Sequence, residues 1–197
     1  VLEAVMTRMS KRSIFLIILF ACAIGYGLVF ILSNRPLFCV PGDGLAGWLA
    51  IGLGLGYVPL IPGTAGALGG VIFSVASSRL LPWAQVLVAA ALVAVAVPLC
   101  EYGSLNYGGI DDPRIVADEL LAFPVATVAL PIRHHPVLLA CVFTISRMLD
   151  AIKPFPADTA ELLPGGMGIV LDDVVTNAWT LLFGLIGWRW YQRRSKV

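Results

Sequence analysis

The chain contains 21 consecutive uncharged residues from Leu80 to Cys100, and a second uncharged run of 19 residues from Ile14 to Leu32. Helices of that length match the ~30 Å hydrocarbon layer of a bilayer, which takes ~20 apolar residues to cross. Both runs therefore read as membrane helices. The rest of the sequence agrees: hydrophobic residues make up 59% and charged residues 13%, against about 25% charged in a soluble domain, and the mean hydropathy is +0.91. The 13 basic and 12 acidic side chains nearly cancel to a net charge of +1, so no basic field exists to hold nucleic acid. Four cysteines, Cys22, Cys39, Cys100 and Cys141, have neither zinc-ligand spacing nor the look of a disulfide framework.

With 197 residues, one domain is expected. Residues 1–12 read as a tail or upstream remnant, 13–35 as an extra N-terminal membrane helix, 36–192 as an all-helical membrane domain and 193–197 as a basic tail. Pro36 to Ser78 carries a single charge, Asp43, and is rich in Gly and Pro. It predicts an interrupted segment followed by a tightly packed helix, with small residues at Gly66 and Gly70. Two 13-residue uncharged runs, Leu120–Ile132 and His134–Ser146, are short for a span and predict a partly embedded helical hairpin. A final 15-residue run, Val174–Trp188, leads into Trp190 and Tyr191, aromatics that favour a membrane interface. The fold class expected is all-α, a polytopic membrane bundle of short or interrupted helices around a polar site.

The acids are unevenly placed. Seven of the 12 fall in three clusters: Asp111, Asp112, Asp118 and Glu119; Asp150; and Asp172 with Asp173. An acid at the centre of a membrane helix costs about 2.5 to 3.5 kcal/mol, so such groups persist where a cation or water meets them. Arg147, Asp150 and Lys153 follow one another at three-residue intervals and share one helix face, and Pro154 ends that helix at Lys153. Asp118–Glu119 and Asp172–Asp173 each sit near a helix start, where the macrodipole favours acids by ~0.3 to 1 kcal/mol. Two such pairs beside an Arg/Lys face exceed what capping requires. Several carboxylates suit hard Mg²⁺, with Ca²⁺ an alternative.

Two Gly-rich loops, Pro62-Gly63-Thr64-Ala65-Gly66 and Pro164-Gly165-Gly166-Met167-Gly168, carry backbone N–H groups of the kind that bind phosphate, although a plain turn explains either alone. Cys141 and Arg147 have the spacing of cysteine-dependent phosphatases, but the five residues between them contain no glycine, so no amide cradle is expected. His134 and His135 read as turn residues.

Taken in order, Gly56-Tyr57-Val58-Pro59 with Pro62 to Gly66, Asp112-Pro113-Arg114 through Asp118-Glu119, Arg147-x-x-Asp150-x-x-Lys153-Pro154, and Gly165-Gly166-Met167-Gly168 through Asp172-Asp173 resemble the phosphatidylglycerophosphatase A family over about Gly52 to Trp188. The resemblance implies an all-helical, Mg²⁺-dependent bacterial enzyme that hydrolyses the terminal phosphomonoester of phosphatidylglycerophosphate, with phospholipid and bilayer as its partners. It implies catalytic roles for Asp118, Glu119, Asp150, Asp172 and Asp173. Metal ligation falls to Glu119, Asp172 and Asp173, with Asp118 as a further ligand. Phosphate contacts fall to Arg147, Lys153 and Thr64. Ala67 and Ala122 depart from the family pattern, which commonly has a hydroxyl residue and a glycine at these places. The expected location is a bacterial inner membrane, multi-pass, with the site facing the cytoplasm. A small ion-coupled transporter and a non-catalytic membrane subunit remain alternatives, the first disfavoured by the lack of an internal repeat.

Overall fold

A computed structural model describes residues 44–107, 109 and 112–195. The helix expected over 13–35 and Asp111 lie outside them. The described residues are helical throughout, with no strand among them. In chain order they form α1 (Gly44–Ala50), a 3-10 segment (Gly52–Tyr57), α2 (Pro62–Ser77), α3 (Pro82–Tyr107) and α4 (Ala117–Ala122). A second 3-10 segment (Phe123–Thr127), α5 (Pro136–Ile152), α6 (Ala157–Ala160) and α7 (Gly166–Arg194) complete the order.

Proline sets several of these boundaries. Pro62, Pro82 and Pro136 each open a helix, the position where a missing N–H costs nothing and φ is already helical. Pro124 interrupts instead. The run Leu120–Ile132 is not one embedded helix, because α4 ends at Ala122 and tightens into the 3-10 segment that contains Pro124. α5 is longer than the apolar run that predicted it. It continues through Arg147 and Asp150 for 17 residues, so the polar face occupies its last turns. Lys153 caps it in the left-handed region, at φ 46 and ψ 65; Pro154 disfavours the right-handed helix at this position, although extended backbone is the usual outcome before proline.

α3 and α7, with 26 and 29 residues, are long and apolar enough to cross a membrane. Only 22% and 39% of their most apolar windows are buried against protein. Trp83, Leu87 and Ile186 on them are exposed, an arrangement suited to lipid rather than to a soluble core. α3 also runs seven residues past Cys100 and so includes Glu101.

Short α4 packs against α2, α3 and α7. Backbone contact makes this possible: a Cβ on Gly66 would stand 2.9 Å from Val116 Cβ, and one on Gly70 would stand 2.7 Å from the Leu120 carbonyl oxygen. Apolar contacts lie on either side. Ala96, Cys100, Ile115, Ala117, Leu121 and Val170 form one cluster, and Phe123, Ala126, Leu130, Ile132, Leu139 and Val142 form another. Asp118 and Glu119 are thus carried into the interior on a helix that is itself enclosed.

Candidate active site

α4, α5 and α7 converge on a cleft of about 240 Å³ lined by Asp112, Ile115, Asp118, Glu119, Asp150, Lys153, Glu161, Ile169, Asp172 and Asp173. Three of the acids meet. One carboxylate oxygen from each of Asp118, Glu119 and Asp173 lies within 4.8 Å of the other two. Asp118 Oδ1, Glu119 Oε2 and Asp173 Oδ1 are buried without a hydrogen-bond partner. Unpaired buried carboxylates cost several kcal/mol unless protonated or met by a cation. Burial first, then the charge of Glu119, pushes the Asp118 carboxyl well above the usual carboxylate range. Burial likewise raises Glu119, against the opposing hydrogen bond from Asp118 and the charge of Arg147. An all-oxygen set with orphaned lone pairs fits a hard divalent cation.

Asp172 is adjacent in sequence but differently employed. Its Oδ2 stands 2.9 Å from Lys153 Nζ, and its Oδ1 accepts the backbone N–H of Asp173. Consecutive helix residues diverge by ~100°, which separates Asp172 from the three-carboxylate group and turns it toward the loop that follows α5. Arg147 joins the two sides: Nη1 lies 3.4 Å from Asp150 Oδ2 and Nη2 3.7 Å from Asp173 Oδ1. Lys153 also contacts Glu161 Oε1 at 2.9 Å. Burial works against its charge, but the hydrogen bonds to Glu161 and Asp172 outweigh that and hold its pKa above the usual lysine range.

The Gly-rich loops face carboxylates. A Cβ on Gly63 would stand 2.2 Å from Glu119 Oε1 and 3.7 Å from Arg147 Nη1. The absence of a side chain there lets the first turn of α2 approach the acid group. Thr64 follows in that turn, half-buried. At the second loop the Gly166 N–H donates to Glu101 Oε2, and Gly165 adopts φ 67. An internal carboxylate therefore occupies the start of α7. Cys141 is exposed in the middle of α5, where no amide cradle can form around its thiol.

Sequence reasoning missed two acids. Glu101 begins immediately after the long apolar run, so its isolation was visible, but its partner lies 65 positions away. Glu161 sits in a loop and reads as solvated until Lys153 is placed beside it. In the sequence Arg114 stands out only as part of a motif. Its guanidinium holds Asp112 through both carboxylate oxygens and also donates to the Tyr107 carbonyl at the end of α3. That hydrogen bonding keeps Asp112 below the usual carboxylate range.

Residues 48–187 match the family model described as phosphatidylglycerophosphatase A. A protein of Escherichia coli (strain K12) named phosphatidylglycerophosphatase A is 35% identical over 66% of this chain and 75% of its own length. One of the same name from Haemophilus influenzae is 33% identical over 68% of this chain and 83% of its own length. A Bacteroides thetaiotaomicron protein named "Putative phosphatidylinositol-3-phosphatase" is 30% identical over 72% and 92%. No solved structure matches the chain.

Proposed function

We propose, from the premise that this chain belongs to the phosphatidylglycerophosphatase A family, that its cleft hydrolyses the terminal phosphomonoester of phosphatidylglycerophosphate with Mg²⁺ held by Asp118, Glu119 and Asp173. The chain is a phosphatase of a membrane-associated class. The observation that carries the assignment is the convergence of three buried carboxylates, each with an oxygen that accepts no hydrogen bond, next to Arg147 and Lys153.

When bound, Mg²⁺ supplies Lewis-acid polarisation of the phosphoryl oxygens and acidifies water. The remaining work belongs to the chain. Arg147 presents a planar fork to the equatorial oxygens, and Lys153 adds a point charge. Asp150 lines the cleft with a side chain 29% exposed. It orients the attacking water and takes its proton. Asp172 holds Lys153 in place and completes the acidic wall. Thr64, on the turn beside Glu119, offers its hydroxyl to the departing phosphate. Water attacks phosphorus as the bond to the headgroup oxygen breaks; the departing alkoxide takes a proton from solvent water and Asp150 returns its proton to solvent, so that alcohol and phosphate are the net products. Among the described cleft residues there is no Ser–His or Cys–His pair, which favours direct hydrolysis over a covalent intermediate.

We place the site in a multi-pass domain spanning residues 36–192 of a bacterial inner membrane, facing the cytoplasm, with 13–35 as an additional helix. A cysteine introduced in the 158–164 loop should react with a membrane-impermeant thiol reagent only in inverted vesicles; labelling in intact cells would contradict the orientation.

The deciding assay is phosphate release by purified protein in detergent from phosphatidylglycerophosphate, with Mg²⁺ and with chelator, beside a folded Asp173→Asn protein. Release that requires Mg²⁺ and falls at least ~100-fold in the variant is expected. A well-folded wild-type protein that releases no phosphate would refute the reading. Phosphatidylinositol 3-phosphate belongs in the same assay, because the Bacteroides relative's name points to a different lipid phosphomonoester.

A further inference from the structure

The Lys153 ammonium carries one positive charge but touches two carboxylates, Asp172 Oδ2 and Glu161 Oε1, each at 2.9 Å. The two partners are held differently. Asp172 lies on α7, its side chain is 10% exposed, and its second oxygen accepts a backbone N–H. Glu161 lies on the turn after α6 with a side chain 42% exposed, tied to Lys153 by that ion pair.

The backbone beneath Glu161 is fixed. Its N–H donates to the Ala157 carbonyl at 3.1 Å. Gly168 of α7 approaches so closely that an added Cβ would stand 2.2 Å from the Leu163 carbonyl oxygen and 3.0 Å from that of Glu161. At the start of the same loop the Trp179 indole donates to the Phe155 carbonyl. A fixed backbone with an exposed side chain permits the carboxylate to swing away without unfolding the loop.

We propose that Glu161 is an exchangeable counter-ion for Lys153: its carboxylate holds the ammonium in the cleft between turnovers, yields to the incoming phosphate, and returns as product phosphate leaves. This rests on the reading above that Lys153 receives the phosphoryl group. The ammonium keeps a third N–H donor, so Lys153 can contact phosphate before either carboxylate departs. Its charge is nevertheless already exceeded by its partners, and an arriving dianion meets repulsion until Glu161 moves off. Glu161 therefore sets substrate affinity and limits product inhibition without touching the reacting atoms.

The test is calorimetric titration of inorganic phosphate into the purified full-length protein, with wild type, Glu161→Gln, Glu161→Ala and Glu161→Asp, each also in a Lys153→Gln background. Expected are about five- to tenfold tighter phosphate binding in Glu161→Gln and Glu161→Ala, the scale of one charge contact well screened by water, near wild-type affinity in Glu161→Asp, and loss of the gain without Lys153. In turnover, KM for the lipid and the inhibition constant for phosphate should fall together. Unchanged or weaker phosphate binding in both neutral variants overturns the proposal, as does a gain that persists without Lys153 or an absence of phosphate binding throughout. Parallel turnover of phosphatidylglycerophosphate separates the two failures. Wild-type turnover with unaltered phosphate affinity sinks the role of Glu161 alone, whereas tighter binding without any turnover sinks the substrate assignment and upholds the counter-ion.

Discussion

Replacing Gly63 by alanine should separate activity from stability. The new Cβ would stand 2.2 Å from Glu119 Oε1, whereas ordinary contact begins at 3.4 Å, so the carboxylate must retreat by about 1 Å. It can do so, because the obstructing atom is the end of a flexible side chain. Gly63 follows Pro62 in the first turn of α2, and alanine is the better helix former by ~0.5 to 1 kcal/mol. Folding is therefore expected to be unimpaired. Catalysis is not, since a misplacement of ~1 Å can cost ~100-fold, equivalent to about 2.7 kcal/mol of transition-state stabilisation. Phosphate release and thermal unfolding in detergent, measured on the same preparations, check both halves. Gly187→Ala on α7 is the control, because nothing lies within 4 Å of its added Cβ. Wild-type turnover by Gly63→Ala would show that the position of Glu119 is not critical and would remove the main support for its role.

Arg147→Lys keeps the charge but loses the fork that reaches both Asp150 and Asp173; kcat/KM should fall about 10- to 100-fold at nearly unchanged unfolding temperature, and full activity would exclude a bidentate role. Glu101→Ala leaves the Gly166 N–H without its acceptor and should cost ~1 kcal/mol, as removal of a helix cap does, read as a lower unfolding temperature; no change would mean that water replaces the carboxylate. Asp112, held below the usual range by Arg114, contributes stability that is present above the ordinary carboxylate pKa and lost as pH falls through its lowered value. The deficit of Asp112→Asn in unfolding temperature should accordingly be constant near neutrality and shrink below about pH 4, and a deficit that persists in acid would point to shape rather than charge.

The parts of the site legible in sequence are those that lipid makes conspicuous. Asp118, Glu119, Asp150, Asp172 and Asp173 stand out because a chain with 13% charge has few reasons to place acids in apolar helices. Helix-face spacing placed Arg147 with Asp150, and Pro154 explained why Lys153 leaves the helix. Long-range pairings were not legible. Glu101 reaches Gly166 across 65 positions, and nothing local to the second Gly-rich loop reveals that its N–H is already taken. The run Leu120–Ile132, expected as one arm of a hairpin, is broken at Pro124, and the enclosure of α4 by α2 depends on Gly66 and Gly70 meeting Val116, Leu120 and Phe123, a contact that sequence periodicity does not specify.

Asp112, Asp118, Glu119, Asp150, Glu161, Asp172 and Asp173 line the cleft, with Lys153 as the one basic residue among its described lining residues. Arg147 offsets one more charge, and Arg114 is committed to Asp112. The excess must be met by protons or by a cation. Burial raises the pKa of both Asp118 and Glu119, so the metal-free folded protein binds more protons than the unfolded chain wherever pH lies between the ordinary and the raised values. By linkage, their contribution to its stability falls as pH rises through that window. Mg²⁺ on the same oxygens must displace those protons, and its affinity therefore rises with pH. The gain in unfolding temperature on adding Mg²⁺ should be smallest just above the ordinary carboxylate range and grow as pH rises, and Asp118→Asn should reduce both the gain and its pH dependence. A Mg²⁺ effect independent of pH, or retained in full by Asp118→Asn, would place the cation elsewhere and leave Asp118 and Glu119 as a proton-sharing pair.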